Sequence, residues 1–257
     1  MLLAVDVGNT RITAGLFRAA RLVSRGRIPT GGSLRDLLRS MRLTPRRLTG
    51  AIISSVVPHE TRSLKRQFQA LGLGMPWVLG ETVRAPIRNR YRVPSEVGQD
   101  RLVNGVGAYF LYKGPAIVVD FGTAVTLDLV SGRCEYLGGL IVPGLGIALE
   151  ALVSKTALLP KIALKPPAEF LGRDTRQSML SGLFNGYGAL CDGIVRRLRA
   201  RHAPRAKVIA TGGHGRLLAP FCRTVQIVNP DLTLQGLRLT YQEIQKSSLT
   251  KSKISIK

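Results

Sequence analysis

Two short stretches carry side chains that could do chemistry together. One is LLAVDVGNTRITAGLF at residues 2–17, and the other is AIVVDFGTAVTLDLV at residues 116–130. Each drives an apolar run into an aspartate, passes through a glycine and a hydroxyl-bearing residue, and resumes as a second apolar run. Asp6 aligns with Asp120, and Gly8 with Gly122. A carboxylate at the end of a buried strand is costly unless something uses it. A hard cation carried by a phosphate is one such user. Glycine lets backbone N–H groups approach a phosphate with no Cβ in the way. Thr10 and Thr123 add hydroxyl donors. A later ATGG stretch offers Gly212 and Gly213 as a flat surface for a nucleoside. This is the chemistry of a nucleoside-triphosphate grip without a P-loop, since neither GxxxxGK[ST] nor GxGxxG occurs. Either turn alone reads equally as a plain strand connection; two aligned copies and a terminal glycine pair argue otherwise.

The elements that must position these turns repeat. LLAVDV and ITAGLF read as strands around a tight GNT turn, with RLVSRGRI as a third. Ser33 is placed to cap a helix over SLRDLLRSM. GAIISSVVP is a buried strand ended by Pro58, and HETRSLKRQFQAL a helix with Leu64, Phe68 and Leu71 on one face. PWVLG is a short strand. Residues 84–96 are a loop holding Pro86 and Pro94, after which GQDRLVNGVGAYFLY starts a helix. The second half opens with the same strand–turn–strand, continues through EYLGGLIVPG, and predicts helices over 144–154 and 175–201 before the strand AKVIATGG. The pattern is a duplicated α/β domain, 1–112 and 113–245, whose two turns could face each other across a cleft. The end, 246–257, lacks the apolar periodicity of a packed helix and is expected to be a mobile basic tail.

Composition bounds the possibilities. At 257 residues, with 45% apolar and 21% charged residues, the chain can build a core and is not globally disordered. No run of about 18 uncharged apolar residues occurs, so no membrane span is expected. Asp6 interrupts the first apolar run and no basic segment precedes it, which does not read as a signal peptide. The expected setting is cytoplasmic. Three cysteines without CxxC spacing predict free thiols in a reducing compartment. His59, His202 and His214 have no ligand spacing. Thirty-eight basic against fifteen acidic residues give a net charge of +23, concentrated toward both ends. Such a field favours anionic ligands, nucleic acid or acidic membranes without choosing among them. A solvated arginine-rich surface is the plainer reading, and no basic–aromatic interleaving marks a strand-binding platform.

The ordered set DVGNT, SSVVP, GQDR, DFGTAVT, GGLIVPG with KTALLP, GRDTRQSMLSG, ATGG and PDLTLQGL resembles the type III pantothenate kinases over about residues 2–242. These belong to the acetate/sugar kinase–Hsp70–actin superfamily. The resemblance implies two duplicated ribonuclease H-like, actin-like ATPase domains with an interdomain cleft. It implies transfer of the ATP γ-phosphoryl group to the primary hydroxyl of pantothenate, the first step toward coenzyme A. Asp100 then resembles the general base. Arg101 resembles the grip on the pantothenate carboxylate, a task suited to a guanidinium fork. Gly98 and Gln99 close the pocket, Tyr91 resembles a substrate contact, and Thr175 resembles another that reaches in from the partner of a homodimer. Thr175 also fits a helix N-cap. Asp6, Val7, Gly8, Asn9, Thr10, Arg11, Ile12 and Thr13 resemble the first phosphate loop, and Thr123 an ATP contact. Asp120 resembles the ligand of a monovalent cation, potassium or ammonium. Mg²⁺ travels with the nucleotide. One departure is Val125, where members often carry threonine, which puts a phosphate or cation contact in doubt.

Two other functions fit parts of the sequence. The basic ends suit a catalytically degenerate relative that serves as a transcription accessory or nucleic-acid-binding protein, although no reading motif stands out. A kinase of another hydroxy acid or sugar shares the turns, but a carboxylate-gripping arginine is wasted on a neutral sugar.

Overall fold

The structure is a computed structural model that describes residues 1–44 and 47–254, with 248–254 as backbone only. The chain forms two compact units, Met1–Leu111 with Asp231–Lys257, and Tyr112–Pro230.

The first unit opens with the expected hairpin, β1 (Leu2–Val7) and β2 (Arg11–Arg18), followed by β3 (Arg21–Pro29). Helix α1 (Leu34–Ser40) is capped by Ser33, whose side chain accepts from the Asp36 N–H at 3.1 Å. Strand β4 (Gly50–Ser55), helix α2 (Pro58–Ala70), strand β5 (Trp77–Val78), the two-residue β6 (Arg88–Asn89) and helix α3 (Gln99–Tyr112) follow. The sheet order is β3-β2-β1-β4-β5, with the three-strand meander antiparallel and β4 and β5 parallel to β1. Leu3, Val5 and Val7 enter a core with Ile53, Leu64 and Phe68. Ala4 points the other way, into a core with Ile52, Val103, Leu234 and Leu237. By the two-residue period of a strand, Asp6 and Ser54 share that second face, under α3 and the C-terminal helix.

The second unit repeats the plan. It contains β7 (Ala116–Phe121), β8 (Ala124–Val130), β9 (Glu135–Pro143), α4 (Leu145–Lys155), α5 (Thr175–Arg201), β10 (Lys207–Thr211), the single turn α6 (Gly215–Leu218) and β11 (Ile227–Val228). Within the unit its sheet runs β9-β8-β7-β10-β11, again an antiparallel meander with two parallel strands added. Ile117, Val119 and Phe121 pack with Leu145, Leu180 and Phe184.

The expected second domain, 113–245, is corrected at its far end. Helix α7 (Leu232–Ile254) lies in the first unit, not the second. The reason is close backbone packing on α3. A Cβ on Gly107 would meet the Leu232 carbonyl at 2.9 Å, and one on Gly236 would run into the Val103 backbone. The Thr233 hydroxyl donates to Asn104 Oδ1 at 2.7 Å. The tail expected from residue 246 is also corrected, since α7 continues through it to Ile254. Residues 255–257 lie outside the described residues. Among the described residues, no helix is long and apolar enough to cross a membrane. No disulfide joins Cys134, Cys191 or Cys222 among the described residues.

Candidate active site

Each unit brings its turn to the carboxyl end of its parallel strands, the edge where open α/β sheets bind ligands. In the first unit the Gly8 N–H donates to the Arg11 carbonyl at 3.0 Å, closing the loop between β1 and β2. Thr30, just past β3, locks it from outside: its hydroxyl donates to the Gly8 carbonyl at 2.7 Å and its N–H to the Thr10 carbonyl at 3.2 Å. Asn9, Thr10 and Arg11 are exposed, and Asp6 and Thr13 half-buried. Val7 and Ile12 pair across the hairpin with both side chains in the core, so only their backbone belongs to the turn.

Asp100 arrives at the same edge. The Val56 N–H donates to the Val7 carbonyl at 3.1 Å, and Val56 Cγ1 would lie 3.7 Å from a Cβ on Gly98. The Gly98–Asp100 entry to α3 therefore stands beside the ends of β1 and β4. Gly98 also has no room for a side chain beside the Asp100 carboxylate. Asp100 Oδ1 accepts from the Arg101 N–H at 2.8 Å, which ties the carboxylate to the first turn of α3. Arg101 is only 7% exposed, so its side chain is enclosed by protein rather than open to solvent. Gln99 lies against Gly80, where a Cβ would come within 3.1 Å of its Nε2. Tyr91 is half-buried, and its N–H donates to Asn89 Oδ1 at 3.0 Å. Asn89 in turn donates to the Pro94 carbonyl at 3.0 Å, giving the loop a defined shape.

The second unit holds Asp120, Thr123, Gly212 and Gly213 together. The Gly122 N–H donates to the Ala124 carbonyl at 3.1 Å, and the His214 N–H to the Phe121 carbonyl at 3.0 Å, which folds the end of β10 over the DFG turn. Gly212 has φ +86° and lies so close that a Cβ would strike the Asp120 carboxylate and the Phe121 carbonyl. Gly213 has open space where its Cβ would be. Thr123 is exposed. The Gly144 N–H donates to the Thr123 carbonyl at 3.0 Å, fixing the second turn to the start of α4. Val125 faces the core with Phe121 and Leu127, so the hydroxyl it lacks is not missing from the open side of the turn. Thr175 is exposed on the first turn of α5, and Asp174, not Thr175, is the cap, accepting from the Gln177 N–H at 2.7 Å.

Four further residues at these turns have no role assigned by the sequence, although three of them lie inside the SSVVP, GGLIVPG and ATGG motifs. Thr30 and Gly144 fasten the turns from a distance. Ser54 lies in register beside Asp6, and Thr211 beside Asp120. Among the described residues, neither of these buried hydroxyls has a hydrogen-bond partner. Buried polar groups are ordinarily paired. Two orphaned oxygens, each next to a strand-end carboxylate, fit a hard cation or its water shell, which demand oxygen ligands. Among the described residues no cluster of three or more His, Cys, Asp or Glu forms a metal cage.

Duplicated meander-plus-parallel sheets, each ending in an Asp-x-Gly turn, define a protein of the actin-like ATPase class. Solved structures agree: the activator of the 2-hydroxyisocaproyl-CoA dehydratase from Clostridium difficile with bound ADPNP matches at TM-score 0.60 and 12% identity, covering 97% of both chains. MreB 5 of Spiroplasma citri bound to AMPPNP matches at TM-score 0.51 and 10% identity, covering 97% of this chain and 98% of that one. Likeness at such identities shows the fold alone. Sequence comparison is more specific. The type III pantothenate kinase profile matches residues 2–197. A type III pantothenate kinase from Moorella thermoacetica is 41% identical over 251 residues, covering 94% of this chain and 99% of the relative. Another from Geotalea daltonii is 40% identical over 256 residues, covering 96% and 100%. The chain belongs to the type III pantothenate kinase family.

Proposed function

We propose that Asp100 is the general base in ATP-dependent phosphorylation of pantothenate, the reaction with which this family opens coenzyme A synthesis. The observation that carries this reading is the meeting of Asp100 with the Asp6 turn at one strand edge of the first unit. Phosphoryl transfer asks the protein mainly for positioning and charge neutralisation. The backbone N–H groups and hydroxyls of residues 8–13 take one set of phosphate oxygens, and Thr123 another. Gly213 leaves room for the nucleoside face. Arg101 holds the pantothenate carboxylate from the wall, Tyr91 and Thr175 orient the rest of the substrate, and Asp100 accepts the hydroxyl proton as the oxygen attacks.

Asp6 with Ser54 would hold the nucleotide's Mg²⁺ or its water shell, and Asp120 with Thr211 would hold a monovalent cation, potassium or ammonium. When bound, these ions neutralise charge on the phosphates. The protein acts as a homodimer. The second unit supports this with exposed Leu158, Phe170 and Leu171 at 90%, 81% and 75% accessibility, and with Ile141 at 61%. Large apolar side chains left in solvent gain from burial against a partner.

The test is an ADP-release assay with pantothenate and MgATP in potassium or sodium, on wild type and Asp100→Asn. Pantothenate-dependent release that needs potassium and disappears in the variant is expected. Equal turnover by the variant would remove Asp100 from its role. Equal rates in the two salts would remove the cation site.

A further inference from the structure

A cavity of about 320 Å³ opens at the far end of the first unit from these turns. Its wall includes Leu2 at the start of β1, whereas Asp6 stands at the end of that strand, about 13 Å further along. Phe17 and Arg18 from β2 and Arg238, Tyr241 and Gln242 from α7 complete the wall.

Arg238 sets the chemistry. It is 6% exposed, yet among the described residues no carboxylate pairs with it. Nη1 donates to Gln242 Oε1 at 2.6 Å, and Nε has no acceptor. Its guanidinium carbon lies 5.8 Å from the centre of the Phe17 ring, a weak compensation for a buried cation. Arginine does not escape by giving up its proton. Burial does pull its pKa below the usual value, which shows how poorly the surroundings replace water. A buried charge is ordinarily paired, and here the pair is absent on the protein side while a cavity adjoins the charge. Exposed Arg18 adds a second cation at the rim. Leu2 and the half-buried Tyr241 supply apolar wall, with the Phe17 ring buried behind them.

We propose that this cavity binds a small organic oxyanion, a carboxylate or a phosphate monoester, with its head on Arg238 and Arg18 and its apolar body against Leu2 and Tyr241. Guanidinium forks favour planar or tetrahedral oxyanions through paired N–H donors, and the cavity is of the size that takes a small molecule.

The experiment follows the Arg238 Nε–H resonance by NMR, assigned by its disappearance in Arg238→Lys, while benzoate, phenyl phosphate, inorganic phosphate and sulfate are titrated separately without substrates. Benzoate or phenyl phosphate should move the resonance saturably, and whichever acts names the head group. Arg18→Glu should weaken that binding several-fold. Gln242→Glu, which gives Arg238 a carboxylate within the protein, should raise Tm and abolish binding. The proposal is overturned if no probe moves the resonance, if inorganic phosphate or sulfate saturates it as well as the organic anions do, or if Gln242→Glu leaves Tm and binding unchanged. Because the readout is binding at Arg238, none of these outcomes depends on the kinase reaction.

Discussion

At the scale of single residues, the two strand-end aspartates and their hydroxyl neighbours separate function from stability. On the roles proposed for them, Asp6→Asn and Asp120→Asn remove a charge that serves a ligand and leave volume intact. Each should lower kcat by about a hundredfold or more with an unchanged unfolding transition, measured by steady-state kinetics beside thermal melts. Thr211→Val is a finer test. Its hydroxyl is buried with no partner among the described residues, so removing it relieves an unpaid desolvation and should leave Tm the same or higher. If the hydroxyl serves a cation beside Asp120, the potassium concentration for half-maximal rate should rise several-fold. A falling Tm with an unchanged potassium response would show a structural hydroxyl instead. The glycine pair divides likewise. Gly212→Ala meets a positive φ and a collision with Asp120, whereas Gly213→Ala meets open space. The first should abolish turnover, and the second should act on nucleotide KM alone.

At the scale of elements, helix packing and helix anchoring give predictions that leave the chemistry untouched. Gly236→Ala forces a methyl into the Val103 backbone and should cost about 1–3 kcal/mol of stability by denaturant titration. Helix α5 carries buried Asp192, which accepts from the Arg223 N–H at 2.9 Å, the Thr224 N–H at 2.8 Å and the Thr224 hydroxyl at 2.7 Å. Burial pushes this carboxyl up, but these donors and the Arg196 charge outweigh it and hold it below the usual aspartate range. A depressed folded pKa stabilises above the unfolded value of about 3.9 and loses that contribution as pH falls through the folded value. The Tm gap between wild type and Asp192→Ala should therefore be full at neutral pH and close below about pH 4. A constant gap would mean that packing alone links α5 to the 223–224 segment. Elements were also where the sequence was most and least legible. The hairpins announced themselves because strand, acid, glycine and hydroxyl lie within a few residues. Thr30, Ser54, Gly144 and Thr211 showed no role, even with three of them inside motifs, since only strand register brings them to the turns. Helix α7 matches no element expected from the sequence, which offers only the PDLTLQGL motif there. What assigns it to the first sheet is the fit of Gly236 against Val103, more than a hundred residues earlier.

At the scale of the whole molecule, the charge and the exposed apolar surface pull in different directions. A net charge of +23 keeps copies apart and steers anionic substrates inward. Leu158, Phe170, Leu171 and Ile141 instead invite a partner. If the partner is a second copy, the interface is closed and two-fold, and each copy lends the same surface. Phe170→Glu with Leu171→Glu should then give a monomer by light scattering, because a carboxylate buried at such an interface has no counter-charge there. A dimer that persists would place the interface elsewhere. Whether Thr175 serves its partner's site is a separate question with a sharper answer. Asp100→Asn and Thr175→Ala should each be poorly active alone. If Thr175 works across the interface, one heterodimer site collects both defects and the other collects none. Mixing the two variants under conditions of subunit exchange should then restore roughly a quarter of the wild-type rate, since half the dimers are mixed and each has one intact site. If Thr175 serves its own chain, every site in the mixture carries one defect and nothing is restored.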